Sequence, residues 1–338
     1  MGLIVALLIG LVAVAGGPVA AGETITPAMT LAQAVDTEPV TDMRVEDVVE
    51  RADEYKVWIF AISAVLVVAL LFAGGLLQPG GFAKAGLRDV SPMPAAVWLF
   101  AAMVVYLALS SAAPILQSTG WLEQTEWTDD QKNIVIGLVG YVFAAIAGLG
   151  MLFIFIRSAP ESGTKLSGLD IPVGFGCFVL AYPIVALAAM LGVLLHTQLS
   201  GGESPSNIAH PVLQKIVDDP QDAWSWALIA GAVLGAPIWE ELVFRVFLQG
   251  ALVKMTKSPW ISILVSALLF AFLHRMGAPD ARLPWHALLP IFALGVACGV
   301  GYERTKRVGV PITMHVCFNA LNVVLALLMT SGGAEPTV

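Results

Sequence analysis

The sequence predicts an all-α, polytopic membrane protein with about eight transmembrane helices, and three observations predict it. Apolar runs near the ~20 residues that a spanning helix needs recur along the chain. Charged residues make up 12% of the 338 residues and hydrophobic ones 58%, whereas soluble domains carry about 25% charged residues. The loops between the runs also alternate in charge, as the loops of a multi-pass cell-membrane protein do.

The elements follow in chain order. Residues 3–15 form a short apolar run followed by Gly16-Gly17-Pro18-Val19-Ala20-Ala21-Gly22, which has the small-residue cleavage pattern of a secretory signal peptide but no basic segment before it. Residues 1–22 are therefore expected to be a signal peptide or a first membrane helix. Residues 23–56 are polar, acidic and poor in aromatics and read as an extracytoplasmic linker. Apolar runs at 57–77, 95–113, 134–156 and 171–195 supply the N-terminal transmembrane helices of a region spanning 57–200. The run at 224–253 is too long for one straight span and holds Pro237, which predicts a broken or kinked helix, or an interfacial piece joined to a span. Runs at 261–274, 287–301 and 311–329 complete a second region, 220–331.

The net charge of −8 describes topology rather than an acidic or basic partner. Acidic residues gather at 38–54, 123–130 and 203–222. If the run at 57–77 enters from outside, the cytoplasmic loops hold Lys84 and Arg88, then Arg157 and Lys165, then Lys254 and Lys257, then Arg304, Lys306 and Arg307, in keeping with the positive-inside rule. Arg275 and Arg282 are the exceptions. Nothing points to nucleic acid; the expected partners are the lipid bilayer and a membrane-associated peptide or protein. Trp98, Trp224, Trp226, Trp260 and Trp285 fall near predicted span ends, as an aromatic belt would. Cys177, Cys298 and Cys317 all lie in apolar runs with no CxxC pair and read as packing residues.

Ionisable residues at membrane depth cost several kcal/mol unless paired or hydrated, so each is a functional candidate. Trp239-Glu240-Glu241-Leu242-Val243-Phe244-Arg245 places Glu241 and Arg245 at i and i+4, where they can pair on one helix face. Glu240 is turned about 100° away from that pair and has no basic residue within one turn of its own helix. Phe270-Ala271-Phe272-Leu273-His274 ends an apolar run on a histidine, and His315 and Asn319 share a face four residues apart. Taken singly, each cluster also fits a structural role: a salt bridge, a histidine at the headgroup level, or interhelical hydrogen bonding. Together they suit hydrolysis. A carboxylate with an imidazole can deprotonate water, and a second imidazole with an amide can donate to an oxyanion. Glu240, His274 and His315 could equally hold a divalent metal such as zinc, so both mechanisms stay open at this point.

The succession Glu240-Glu241-x3-Arg245, Phe270-x3-His274 and His315-x3-Asn319 resembles the three signature motifs of the CPBP family, which comprises the type II CAAX prenyl endopeptidases, the Abi-type lysostaphin-resistance-like proteins and bacteriocin-processing proteins. The resemblance covers about residues 220–330 and implies an intramembrane endopeptidase acting on a membrane-associated or lipid-modified peptide. It implies Glu240 as general base, His274 as its helper in activating water, His315 and Asn319 as the oxyanion hole, and Glu241 and Arg245 as supports. It leaves a metal undecided, and Asn319 favours the metal-free form because an amide suits an oxyanion better than a metal ion.

Two rival classes use the same buried polar cluster: a transporter or proton relay, and a non-catalytic membrane scaffold. The inverted repeat common in transporters is not found, and a scaffold needs no free carboxylate opposite two imidazoles. There is no HExxH pair and no GxSxG elbow. Ser262 and Ser266 read as packing or backbone-bonding residues, and His196, His210 and His286 as solvated ones.

Overall fold

The computed structural model describes residues 45–205, 210–276 and 283–331. The expected leader, residues 23–44 of the expected linker, and Arg282 lie outside the described residues.

Among these residues the regular structure is helical, apart from one isolated bridge between Lys165 and Arg307. Helix α1 (Val45–Ala73) begins inside the segment expected as a linker and runs unbroken into the first span. It is followed by α2 (Ala95–Ser118), α3 (Asp129–Ser158) and α4 (Asp170–Leu199). A short α5 (Pro211–Asp218) precedes α6 (Ala223–Thr256), and α7 (Pro259–Leu273), α8 (Trp285–Thr305) and α9 (Gly309–Ser331) close the chain. Seven helices are long and apolar enough to cross a membrane, and α7, at 15 residues, is a shorter apolar one. The expectation of an all-α polytopic protein is met.

Local chemistry sets the helix ends. Helix α3 starts in a capping box, with Gln131 N donating to Thr128 Oγ1 at 3.3 Å and Thr128 N to Gln131 Oε1 at 3.0 Å, and with Asp129 and Asp130 in the first turn. Helix α7 starts with Pro259 after a Ser258 cap.

Helix α6 is not the broken helix that one reading of Pro237 expected. It is continuous over 34 residues but contains two π-helical stretches, Gly231–Gly235 and Leu242–Leu248. Pro237 would ordinarily clash with the carbonyl four residues back, at Val233. That carbonyl lies in the first π stretch, where the widened turn makes room for the ring. Small residues then let neighbouring helices close in. A Cβ on Gly235 would meet the Tyr141 ring of α3 at 2.5 Å, and one on Gly192 of α4 would collide with the His286 carbonyl of α8.

The loops that carry the cations meet at one end. Arg88 donates to Glu303 through Nε (2.9 Å) and Nη2 (2.5 Å), and through Nη1 to Ser162 O (3.0 Å) and Tyr302 Oη (3.3 Å). Gln249 Nε2 joins this network by donating to Glu303 Oε1 at 2.8 Å. Lys254 reaches Ser91 O at 2.7 Å, and Arg307 pairs with Asp170 at 2.5 Å. The other end carries stacked Trp121, Trp127 and Trp224, with successive centroids 5.4 Å apart. Trp226 and Trp285 are exposed, as a belt requires. Trp98 is not: it is fully buried against Phe155, 4.3 Å between centroids, because Gly250 lets the ring lie on the α6 backbone. Trp260 packs edge-on against Phe82 at 5.0 Å.

Candidate active site

The second π stretch of α6 begins directly after Glu241 and contains Arg245; such widened turns are frequent at functional sites. It keeps the expected ion pair: Arg245 Nε lies 3.0 Å from Glu241 Oε2, with both side chains fully buried. Arg245 is held from above by the Phe270 ring, 4.8 Å from its centroid, and its Nη1 lies 3.5 Å from Ser266 Oγ, whose own proton goes to Phe244 O at 2.8 Å. The buried guanidinium therefore faces a carboxylate, a hydroxyl and a π face.

His315, from the second turn of α9, stands between the two carboxylates. Its Nδ1 is 2.9 Å from Glu241 Oε1 and its Nε2 is 3.7 Å from Glu240 Oε2. Since Glu241 can only accept, Nδ1 carries the proton, and Nε2 is left facing Glu240. Glu240 and His315 are both buried. His274 caps the end of α7, half-buried, with Nδ1 2.8 Å from Phe270 O. A carbonyl also only accepts, so Nδ1 again holds the proton and Nε2 is the acceptor. Phe270 is the hub of this arrangement: its ring lies 4.7 Å from His274 and 5.7 Å from His315, edge-on to both.

Asn319 points elsewhere. Its Nδ2 donates to Ala232 O in the first π stretch of α6, at 2.8 Å. One amide proton thus fastens α9 to α6, and the amide keeps one further proton to offer.

The sequence did not single out several of these groups. Ser266 bonds a backbone carbonyl as expected, but its place beside Arg245 and the Ala232 carbonyl come from distant positions with no local signal. Gln249 follows Arg245 by four residues, as Arg245 follows Glu241, so the ladder spacing alone could have found it. The reading of His210 as solvated is overturned. It is partly buried at the start of α5, Nδ1 accepts from Val212 N at 3.2 Å, and burial together with nearby His274 pushes its pKa down to about 4. His196 and His286, also expected in solvent, are half-buried edge-on to one another at 5.0 Å. Ser262 behaves as expected, bonding Ser258 O at 2.8 Å. The three cysteines are unpaired thiols, Cys298 fully buried.

A metal was a second use for Glu240, His274 and His315. Among the described residues no three His, Cys, Asp or Glu side chains are grouped so as to hold an ion. Nδ1 of His274 and of His315 is committed to Phe270 O and Glu241, a pattern that orients metal-bound and metal-free imidazoles alike, so the missing grouping alone speaks against a metal seat, and no chemical step is routed through one.

Comparison with known proteins gives this geometry a setting. Residues 222–321 match the family described as type II CAAX prenyl endopeptidase Rce1-like, which takes in all three clusters. The chain is 30% identical over 191 residues to the putative membrane peptidase YdiL of Bacillus subtilis, covering 55% of this chain and 70% of the relative. It is 28% identical over 156 residues to the membrane-embedded CAAX protease MroQ of Staphylococcus aureus, covering 44% of this chain and 57% of that protein. It is 25% identical over 201 residues to the UPF0177 protein YbdI of Lactococcus lactis, of which 97% is covered. No solved structure matches. On the extent of the YdiL match and the placing of all three motifs within 222–321, the chain belongs to the CPBP family of multi-pass intramembrane peptidases.

Proposed function

We propose that the protein hydrolyses a peptide bond of a membrane-associated peptide or protein, using water activated by Glu240 and His274. The observation that carries this reading is the division of labour between adjacent carboxylates. Glu241 is engaged by Arg245 and by His315 Nδ1, which leaves Glu240, 3.7 Å from His315 Nε2, as the carboxylate able to accept a proton.

In this scheme Phe270 O fixes the His274 tautomer, so that Nε2 accepts one hydrogen of the water while Glu240 takes the other proton as the oxygen adds to the scissile carbonyl carbon. Glu241 orients the His315 ring through Nδ1, and His315 and the second Asn319 amide proton face the developing oxyanion. As the tetrahedral intermediate collapses, the C–N bond breaks and Glu240 returns its proton to the leaving nitrogen. Arg245 takes no proton; it supplies the counter-charge that a carboxylate buried at this depth needs. A lipid-modified C-terminal peptide, the kind of substrate after which the matched family is named, is one substrate class for this cleft, and an unmodified membrane-anchored peptide is the other.

The test is expression of wild type and of Glu240→Gln, His274→Ala and His315→Ala variants, with membrane proteomes compared across the four. Removal of a membrane peptide by wild type alone supports the proposal and names the substrate. Cleavage retained by Glu240→Gln refutes the general-base role.

A further inference from the structure

A second feature lies away from this site, where the N-terminal helix meets the catalytic helices. Between α1, α4 and α8 is a cavity of about 440 Å³, within the roughly 300–1,000 Å³ that bound small molecules occupy. Its walls are apolar: Val67 and Leu71 of α1, Leu180 and Ile184 of α4, and Val296 and Ala297 of α8. Leu70 on its rim is 64% exposed on a helix that spans the membrane, so the cavity opens sideways onto acyl chains rather than onto water. Because α1 and α4 lie outside the matched residues 222–321, the chamber is built by the N-terminal half against the catalytic half.

One end of this chamber is not apolar. Arg304 and Thr305, in the last turn of α8, line it. The Arg304 side chain is exposed and its Nη1 donates to Gly81 O at 3.5 Å. The Lys306 ammonium lies against Gly86, and Lys84 ends the helical turn Gly81–Lys84 between them. Arg307 and Arg88, by contrast, are engaged by Asp170 and Glu303. In a chain of net charge −8, Arg304 thus stands at the mouth of an apolar slot, with Lys306 and Lys84 on adjoining segments at the end of the helices where the cation-rich loops meet. That end is the cytoplasmic one by the positive-inside rule, and it faces the anionic leaflet.

We infer that this slot binds one phospholipid of the bilayer, with an acyl chain between α1, α4 and α8 and an anionic headgroup at Arg304, Lys306 and Lys84. An apolar chamber alone accepts any chain; the cations add headgroup selectivity, because each basic residue near the surface favours an anionic over a zwitterionic lipid. Lipid bound there also mortars α1 to the catalytic half.

The full chain reconstituted in bilayers of equimolar phosphatidylglycerol and phosphatidylcholine, then released into mild detergent, is read by native mass spectrometry for retained lipid. Wild type is expected to retain one phosphatidylglycerol with about fivefold or greater preference over phosphatidylcholine, the selectivity of about one cation. Arg304→Gln is expected to bring the two lipids to parity while still retaining one. Ala297→Trp, which fills the slot, is expected to retain neither, and Leu70→Trp at the exposed rim does the same should the buried variant fail to fold. Equal retention of both lipids by wild type, retention of none, retention of a peptide in their place, or unchanged retention in a folded slot-filling variant each overturns the inference.

Discussion

Replacing Glu241 by Gln separates the support of the site from its chemistry. Glu241 is fully buried, accepts from His315 Nδ1 at 2.9 Å and is ion-paired with Arg245, whose Nε lies 3.0 Å away. A glutamine of the same size keeps one accepting oxygen and puts an NH2 group against the other donor. The guanidinium, which has no exposed surface, is left without its counter-charge. Removing one partner of a buried pair costs about 3–5 kcal/mol, enough to lower the unfolding midpoint in detergent by about 10 °C. His315 also loses the carboxylate that orients its ring, so turnover should fall by about 10²–10³, the effect of removing one oxyanion donor. Glu240→Gln makes the opposite pattern: Glu240 answers no guanidinium, so the midpoint stays within about 2 °C while turnover falls by about 10²–10⁴, the share of a general base. The double variant Glu241→Gln/Arg245→Met removes both charges and should recover part of the lost stability, because contacting residues deviate from additivity by about 0.5–3 kcal/mol. Thermal unfolding of the purified variants and cleavage of the identified substrate read both effects. A Glu241→Gln protein as stable and as active as wild type would refute the reasoning.

His210 gives a pH effect of definite sign. Its folded pKa of about 4 lies below the ordinary 6.5, so the unfolded form binds the proton first. Its contribution is complete above about 6.5 and is lost as pH falls towards 4. Unfolding midpoints at pH 7 and pH 5 should fall more for wild type than for His210→Asn, which keeps a cap acceptor for Val212 N and removes the titration. Gly235→Ala drives a methyl into the Tyr141 ring and should destabilise by about 1–3 kcal/mol, measured in the same assay. Because Glu240, His274 and His315 do not converge as ligands, dialysis against a chelator should leave turnover unchanged; loss that zinc restores would place a metal there after all.

The number and order of the helices were legible because lipid imposes a length and a composition that few other segments share. The Glu241–Arg245 pair was legible because its spacing is local. What was not legible came from contacts between distant segments. The assignment of His315 to Glu241, the turning of Asn319 towards Ala232, and the hub at Phe270 depend on how α6, α7 and α9 rotate against one another. Pro237 predicted a break by its local effect, and the wider π turn around Val233 absorbed it. Trp98 looked like a belt residue by position, and a glycine 152 residues away, Gly250, made room to bury it. His210 lay in a polar loop, where nothing in the sequence places it beside a helix end from the catalytic half.

Helix α7 has a further consequence for the surrounding bilayer. Its 15 residues rise about 22 Å, against a hydrocarbon core of about 30 Å. It is capped by Ser258, near the end where the cation-rich loops meet, and by His274, so the shortfall of about 8 Å falls on the side of the candidate site. Arg275 follows immediately, stacked over Trp285 at 4.9 Å. A charge at that depth favours thinning of the opposite leaflet or headgroups beside α7. Local thinning there would bring water to His274 from the side of the membrane rather than along a pore through the protein.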